Sequence, residues 1–287
     1  MIISASRRCD LPAFGMVPFL AALREGHVDV RNPFDARRTR RVSLAPLDVD
    51  CLVFWTRDPR PLLEGLDELG ELSARFIVQL TITGYPRALE PRVAPTGAVL
   101  DALGELARRI GPARLVWRYD PVILGGGLDR GFHEANFARL AAATEGLVSR
   151  ATLSLVDEYA YTRKRLLAAG VADPIFGSPR KPAPLAARRA ERGLPPEPWP
   201  GLLASLAAIA ATHGHRLTAC AEPWDLESLG ILREACIDGP YLETLFGRKL
   251  ALGKDPGQRP GCSCAPSVDI GEYGACPAGC VYCYAKK

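Results

Sequence analysis

Six short runs of mainly β-branched, aromatic and other apolar residues, each followed by a longer stretch with apolar residues at helical spacing, limit the fold most strongly. The runs fall at 2–4, 51–55, 76–83, 114–117, 151–156 and 216–220, bounded by turn residues, as buried strands are. Stretches near 16–25, 60–70, 97–110, 132–146, 158–169 and 200–213 carry the helical pattern. A strand followed by a helix, six times over, predicts the α/β class with a parallel sheet and helices outside it. The expected form is a parallel (β/α) barrel, either a six-stranded partial barrel or a TIM-like one, with a cysteine-rich C-terminal tail. Two further short strands are expected at 27–31 and 41–44.

The chain has 287 residues, and α/β barrels of roughly 250 residues form single domains. The expected division is a barrel over 1–250 and a tail over 251–287 packed on the barrel mouth. Within the barrel, the segment 171–200 carries eight prolines around a basic, Ala-rich centre. It is neither a continuous helix nor a central strand, and reads equally as a lid over the site or as a surface insertion.

The net charge is +4, and thirty of the 36 basic residues are Arg. That excess has a compositional explanation in G+C-rich coding, and a charge of +4 does not by itself call for a nucleic-acid partner. No apolar run reaches the ~18 residues of a membrane span, and the apolar Met1-Ile2-Ile3 precedes Arg7 and Arg8, the reverse of a secretory leader. A cytoplasmic protein without membrane attachment is expected.

In α/β barrels the residues just after each strand point into a common mouth. Here those positions hold Ser6, Arg7, Arg8 and Asp10; Thr56, Arg57 and Asp58; Thr83 and Tyr85; Arg118, Tyr119 and Asp120; Asp157, Glu158 and Tyr159; Cys220 and Glu222. Any one of them is more simply a loop residue, an N-cap such as Asp10, or an ion-pair partner; their recurrence at strand after strand is the signal. Arg7, Arg57 and Arg118 together would favour an anionic ligand, a carboxylate, a phosphate or a nucleotide. Asp120, Asp157 and Glu222 would hold an amine or ribose hydroxyls, or neutralise the arginines. His27, His133, His213 and His215 follow no strand closely, no nucleophile elbow is present, and Gly125-Gly126-Gly127 lacks the Lys of a phosphate-binding loop.

The nine cysteines are an odd number, which argues for thiolate ligands or redox chemistry rather than a disulfide scaffold. Cys9, Cys51, Cys220 and Cys236 are scattered, while Cys262, Cys264, Cys276, Cys280 and Cys283 crowd the last 26 positions. Cys276, Cys280 and Cys283 have the spacing C-x3-C-x2-C, which wraps three corners of a [4Fe–4S] cubane and leaves the fourth iron open. This spacing, with Tyr282 before the third cysteine, resembles the signature of the radical S-adenosylmethionine (SAM) superfamily. The wording Gly-Cys-Val-Tyr-Cys-Tyr-Ala (279–285) is particularly similar to its spore photoproduct lyase-like branch. Over nearly its whole length the chain also resembles an uncharacterised bacterial family, a domain of unknown function of the 1848 type. That likeness rests on Ser-Ala-Ser-Arg-Arg (4–8), Arg-Asn-Pro-Phe (31–34), Phe-Trp-Thr (54–56), Trp-Arg-Tyr-Asp-Pro (117–121), Cys-x-Cys (262–264) and the tail.

The radical SAM resemblance implies an enzyme in which the open iron chelates SAM and, supplied with an electron by an external donor, cleaves it to a 5′-deoxyadenosyl radical. Cys276, Cys280 and Cys283 would hold that cluster, and Arg7, Arg57, Arg118, Asp120, Asp157 and Glu222 would hold SAM and a small-molecule or nucleotide-like anionic substrate. Tyr119 or Tyr159 would relay a hydrogen atom or an electron, each being otherwise a rim aromatic with a hydrogen-bonded hydroxyl. The superfamily carries its cysteines after the first strand, so the resemblance implies a permuted arrangement with the C-terminal tail folded back over the mouth. Cys9 replaces a Thr and reads as neutral.

Cys220, Cys236, Cys262 and Cys264 suffice for a second Fe–S cluster, unless Cys220 and Cys236 are merely buried apolar residues. Two competing readings remain. One is a non-radical barrel enzyme with a zinc site on Cys262, Cys264, Cys280 and Cys283 stapling the tail. The other is a nucleic-acid-binding or repair protein using the arginines and Trp55, Tyr85 and Trp117, though Trp55 and Trp117 lie on strands and read more simply as core.

Overall fold

A computed structural model of the protein describes residues 1–33, 35–73, 75–177, 193–250, 253–259 and 261–286. Each expected strand is present: β1 (Ile2–Ala5), β4 (Cys51–Thr56), β5 (Phe76–Thr81), β6 (Leu115–Val122), β7 (Arg150–Leu155) and β8 (Arg216–Ala219). β2 (His27–Asn32) and β3 (Asp35–Ser43) pair antiparallel as a separate ribbon. Two strands were not foreseen, β9 (Leu232–Arg233) and β10 (Ser267–Asp269). The main sheet is all parallel, in the order β10-β1-β4-β5-β6-β7-β8-β9.

This topology supports the α/β class with a parallel sheet and does not confirm the barrel. The sheet has eight strands rather than six, and among the described residues β9 and β10 are not paired with each other, so the sheet is open and the barrel is not closed. Both edge strands are only two or three residues long and flanked by Gly, Pro or Cys-rich loops, too short to show a period of two. The suggested lid falls largely on 178–192, outside the described residues.

Helices α1 (Leu11–Phe14), α2 (Met16–Glu25), α3 (Arg60–Glu64), α4 (Leu66–Leu72), α5 (Thr96–Ile110), α6 (Arg130–Thr144), α7 (Ala160–Ala168), α8 (Trp199–Thr212) and α9 (Gly239–Phe246) fill the connections. Their buried residues recur at three and four: Val99, Ala102, Leu103, Leu106 and Ala107 on α5; Trp199, Leu202, Leu203, Leu206 and Ala210 on α8. The expected helix at 60–70 breaks at Gly65, where a Cβ would lie 2.9 Å from Leu20 Cδ1, so the α2 side chains pack closely over it.

Side-chain alternation along the strands separates two faces. One face, with Leu52, Phe54, Val78, Leu80, Trp117 and Tyr119, joins the helices in the main core. The other, with Ile2, Cys51, Val53 and Ile77, is covered by Ile237, Leu242, Cys262, Cys264 and Ala265. Residues beyond 250 thus share a core with the first strand. No helix is long and apolar enough to cross a membrane among the described residues.

Candidate functional site: two cysteine centres flanking a charged mouth

β10 positions the C-terminal cysteines. It adds in parallel beside β1, with Ser4 opposite Asp269, and the residues that fix this pairing belong to the Ser-Ala-Ser-Arg-Arg segment. Asp269 accepts hydrogen bonds from Ser4 Oγ (2.8 Å), Ser6 Oγ (2.7 Å), the Arg7 N–H (2.8 Å) and the Gly271 N–H (3.0 Å). At Gly271 the chain passes so close to β1 that a Cβ would collide with Ser6 Oγ and lie 2.8 Å from Cys9 Sγ. From there the tail runs to the C-terminal end of the sheet, where Cys276, Cys280 and Cys283 pack against Tyr85, Leu89, Ile123 and Val156.

The cysteine loop is locked by polar contacts as well. The Val281 N–H donates to Leu89 O (3.0 Å), Tyr284 Oη to Arg7 O (2.8 Å), and Arg165 Nη2 to Cys283 O (3.3 Å). Tyr282 Oη donates to Glu90 Oε1, an oxygen that also takes Thr83 Oγ1 (2.5 Å) and Arg57 Nη1 (2.7 Å). The Arg57 guanidinium lies over the Tyr282 ring, 5.4 Å from its centroid. Burial raises the Cys276 thiol and pushes Cys280 up to about 11, each against lowering influences: backbone N–H groups of Asp10 and Ala278 for Cys276, the Arg57 charge for Cys280. Cys9, treated as neutral in the sequence, lies close enough to Cys276 for their charges to interact.

The strand-end charges gather beside this loop. The guanidinium groups of Arg7 and Arg118 both lie over the Trp55 ring, 5.0 Å and 5.1 Å from its centroid. Arg118 also donates to Gln79 Oε1 (3.2 Å), Cys236 Sγ (3.2 Å) and Asp120. Asp120 takes Ser154 Oγ, and its carbonyl takes Arg57 Nη2 (3.4 Å). Burial opposes ionisation of Asp120, but Arg118, Ser154 and Arg57 outweigh it and hold its carboxyl below the usual range. Glu222 is buried, accepts from the Leu155 N–H (3.0 Å), and burial pushes its carboxyl up to about 8. Asp157 pairs with Arg259 (2.6 Å). Arg7 Nη2 is buried without a hydrogen-bond partner, which leaves one cationic donor unspent. A cavity of about 180 Å³ opens beside Arg57, between Thr83, Tyr85 and Glu90.

Cys220, Cys236, Cys262 and Cys264 form the second centre. Cys220 Sγ lies 3.8 Å from both Cys262 Sγ and Cys264 Sγ, and the sulfurs of Cys220, Cys236 and Cys264 lie within 4.8 Å of one another, a group able to hold a metal ion. Contact with the Cys220, Cys236 and Cys262 thiols holds the Cys264 thiol well below the usual range, while those three thiols are themselves raised. The mixed zinc set of Cys262, Cys264, Cys280 and Cys283 is not assembled: the first two pack with Ile2 and Val53, the last two with Tyr85 and Leu89.

Tyr119 and Tyr159 diverge from the mouth in different ways. Tyr119 is fully buried on the helix-facing side, where its hydroxyl meets His133 Nδ1 (2.9 Å) and Asn136 Nδ2 (3.1 Å). Being one residue from Arg118 and Asp120 on a strand, it points to the opposite face. Tyr159 sits at the rim, stacked on Tyr161 with centroids 5.4 Å apart. Among the aromatics proposed for bases, Trp117 and Tyr85 are buried, with Trp117 Nε1 on Ile82 O (3.0 Å) and Tyr85 Oη on Pro121 O (2.8 Å), and Trp55 already packs with the Arg7 and Arg118 guanidinium groups.

Sequence reasoning missed Gln79, Glu90 and Asp269, and saw in Asp10 a strand-end residue and a cap but not its tie to Arg57. Asp10 does cap α1 through the Ala13 N–H (3.1 Å), as its position suggests, but it also takes the Arg57 N–H (2.7 Å), and burial pushes its carboxyl up to about 6. Glu90 and Asp269 lie on segments without periodicity, so nothing local marked them. No curated protein and no solved structure matches the chain. A match over residues 2–285, nearly all the chain, identifies it as a member of the family described as domain of unknown function (DUF1848).

Proposed function

We propose that the protein is an iron–sulfur enzyme of the radical SAM kind, acting on an anionic small molecule. The observation that carries this is the placement of β10: a strand late in the chain, laid in parallel beside β1, delivers the C-x3-C-x2-C loop to the end of the sheet where the strand-end charges collect. That is the permuted arrangement the motif requires.

Cys276, Cys280 and Cys283 would hold three corners of a cluster. Their sulfurs influence one another electrostatically but are not drawn into a triangle as tight as that of Cys220, Cys236 and Cys264. A [4Fe–4S] cluster bound by three thiolates supplies an open iron for the SAM amino and carboxylate groups and an electron, from an external donor, to cleave the sulfonium. The chain's own residues do the rest. Glu90, Tyr282 and Arg57 hold the loop against the sheet. Arg7, with its unspent Nη2 donor, and Arg118 present positive charge to a carboxylate or phosphate. Asp120, Asp157 and Glu222 supply acceptors for amine or hydroxyl groups. Of the two tyrosines, Tyr159 would be the one to relay a hydrogen atom, since the Tyr119 hydroxyl is committed to His133 and Asn136.

The test is anaerobic incubation of iron-loaded protein with SAM and a one-electron reductant, following 5′-deoxyadenosine and methionine. Turnover that vanishes in the Cys276→Ala/Cys280→Ala/Cys283→Ala variant is expected. Protein that carries no iron or sulfide in the tail, and leaves SAM intact, would instead favour a non-radical enzyme.

A further inference from the structure

We propose that Cys220, Cys236, Cys262 and Cys264 form a mononuclear tetrathiolate centre that takes one zinc ion and staples the β8–β9 edge of the sheet to the segment carrying β10 back to β1. This centre is separate from the tail cluster and of a different type.

Sulfur spacing discriminates between a single ion and a cluster. With zinc–sulfur bonds of about 2.3 Å, the edge of a sulfur tetrahedron is about 3.8 Å. Both Cys220–Cys262 and Cys220–Cys264 are 3.8 Å, two of the six edges; Cys262 stands outside the group of three sulfurs that all lie within 4.8 Å of one another, so the ion would have to draw it in as the fourth ligand. In a cubane each thiolate sits on a different iron, so its four sulfurs must stand farther apart than sulfurs sharing one ion. Cys220, Cys236 and Cys264, all within 4.8 Å of one another, are too close for that.

The surroundings are those of thiolates rather than of buried thiols. The Cys264 N–H points at Cys262 Sγ (3.4 Å), the Ile237 N–H at Cys264 Sγ (3.4 Å), and Arg118 Nη1 at Cys236 Sγ (3.2 Å). Four thiolates on a divalent ion leave a net charge of −2, and these donors offset it. Zinc suits the set because it accepts tetrahedral sulfur without a competing geometric preference and lies above ferrous iron in affinity for such ligands. Four protein ligands leave no open position, so the centre is structural.

The chain positions explain what it holds together. Cys220 ends β8, Cys236 follows β9, and Cys262 and Cys264 precede β10. β9 and β10 are opposite edges of an open sheet, and the ion would bridge the gap between them. The Ala265 N–H to Ile237 O (2.9 Å) and Gln79 Nε2 to Cys236 O (2.8 Å) contacts brace the same junction. Arg118, shared between Cys236 and Asp120, is thereby a positioning residue whose guanidinium is fixed by the centre.

Metal analysis and zinc X-ray absorption on anaerobically purified full-length protein test the proposal. About one zinc per chain with four sulfur neighbours at about 2.3 Å is expected. The zinc should persist in the Cys276→Ala/Cys280→Ala/Cys283→Ala variant, which loses iron and sulfide, and disappear in Cys236→Ala/Cys264→Ala. If that second variant does not fold, cobalt replacement in the unmodified chain gives an independent reading, the strong visible bands of tetrahedral cobalt in an all-sulfur field. Acid-labile sulfide retained in the tail variant, a zinc shell containing nitrogen or oxygen, or no zinc, would overturn it. These outcomes are independent of whether the tail cluster cleaves SAM.

Discussion

Asp269 is the side chain on which the tail's placement turns. It is an acceptor for three donors from β1 and the following loop and a fourth from Gly271, so Asp269→Ala leaves several partly buried donors unpaired. We expect a loss of about 3 kcal/mol in unfolding free energy, read from a denaturant titration, together with reduced iron uptake. A midpoint unchanged from the parent would mean the β10–β1 junction is held elsewhere. Strand-end reasoning found Arg7, Arg57, Arg118, Asp120 and Glu222 because a parallel sheet sends those positions to one end. It misplaced Tyr119, whose face is decided by alternation within a strand longer than the apolar run showed.

His133 gives a pH prediction at the same scale. It is buried, its Nε2 on Ile123 O (2.8 Å) and Nδ1 on Tyr119 Oη, and burial lowers its imidazole below the ordinary value. The unfolded chain therefore takes up this proton first. The stability the neutral ring contributes is present above pH ~6.5, where a free imidazole titrates, and is lost as pH falls below that toward the folded value. Comparing the protein with His133→Gln between pH 7.5 and pH 5 as a difference in unfolding free energy cancels the opposite contributions of Asp10 and Glu222. The gap between parent and variant should shrink on acidification; a gap independent of pH would refute the assignment of a neutral buried ring.

Among the elements, the six central strands and their helices were legible because each buries a face whose period is long enough to see. β9 and β10 were not, since two or three residues between Gly, Pro and Cys have no measurable period; only the pairing with β1 defines β10. Yet β10 covers an edge that would otherwise expose the backbone of Ile2 and Ile3. Removing 267–287 should therefore yield protein that associates or aggregates, seen by light scattering, whereas a monodisperse truncated chain would show that the β1 edge needs no cover. Among the described residues β9 and β10 are not paired with each other, and a metal centre is proposed to join the segments beside them.

For the molecule as a whole, the charged mouth lies between two sulfur centres, with Arg57 tied to the tail loop and Arg118 to Cys236. The sequence spacing separated Cys276, Cys280 and Cys283 from the rest and left Cys220, Cys236, Cys262 and Cys264 as a second set by number alone; Cys220 and Cys264, 44 residues apart, meet only through the fold. Electron paramagnetic resonance of the reduced protein, recorded with and without SAM, bears most directly on the proposed function. A [4Fe–4S]⁺ signal that changes shape when SAM is added, and is absent from the Cys276→Ala/Cys280→Ala/Cys283→Ala variant, is predicted, because an open iron must sense its ligand. No cluster signal in protein shown to carry its metal, or one indifferent to SAM, would contradict it.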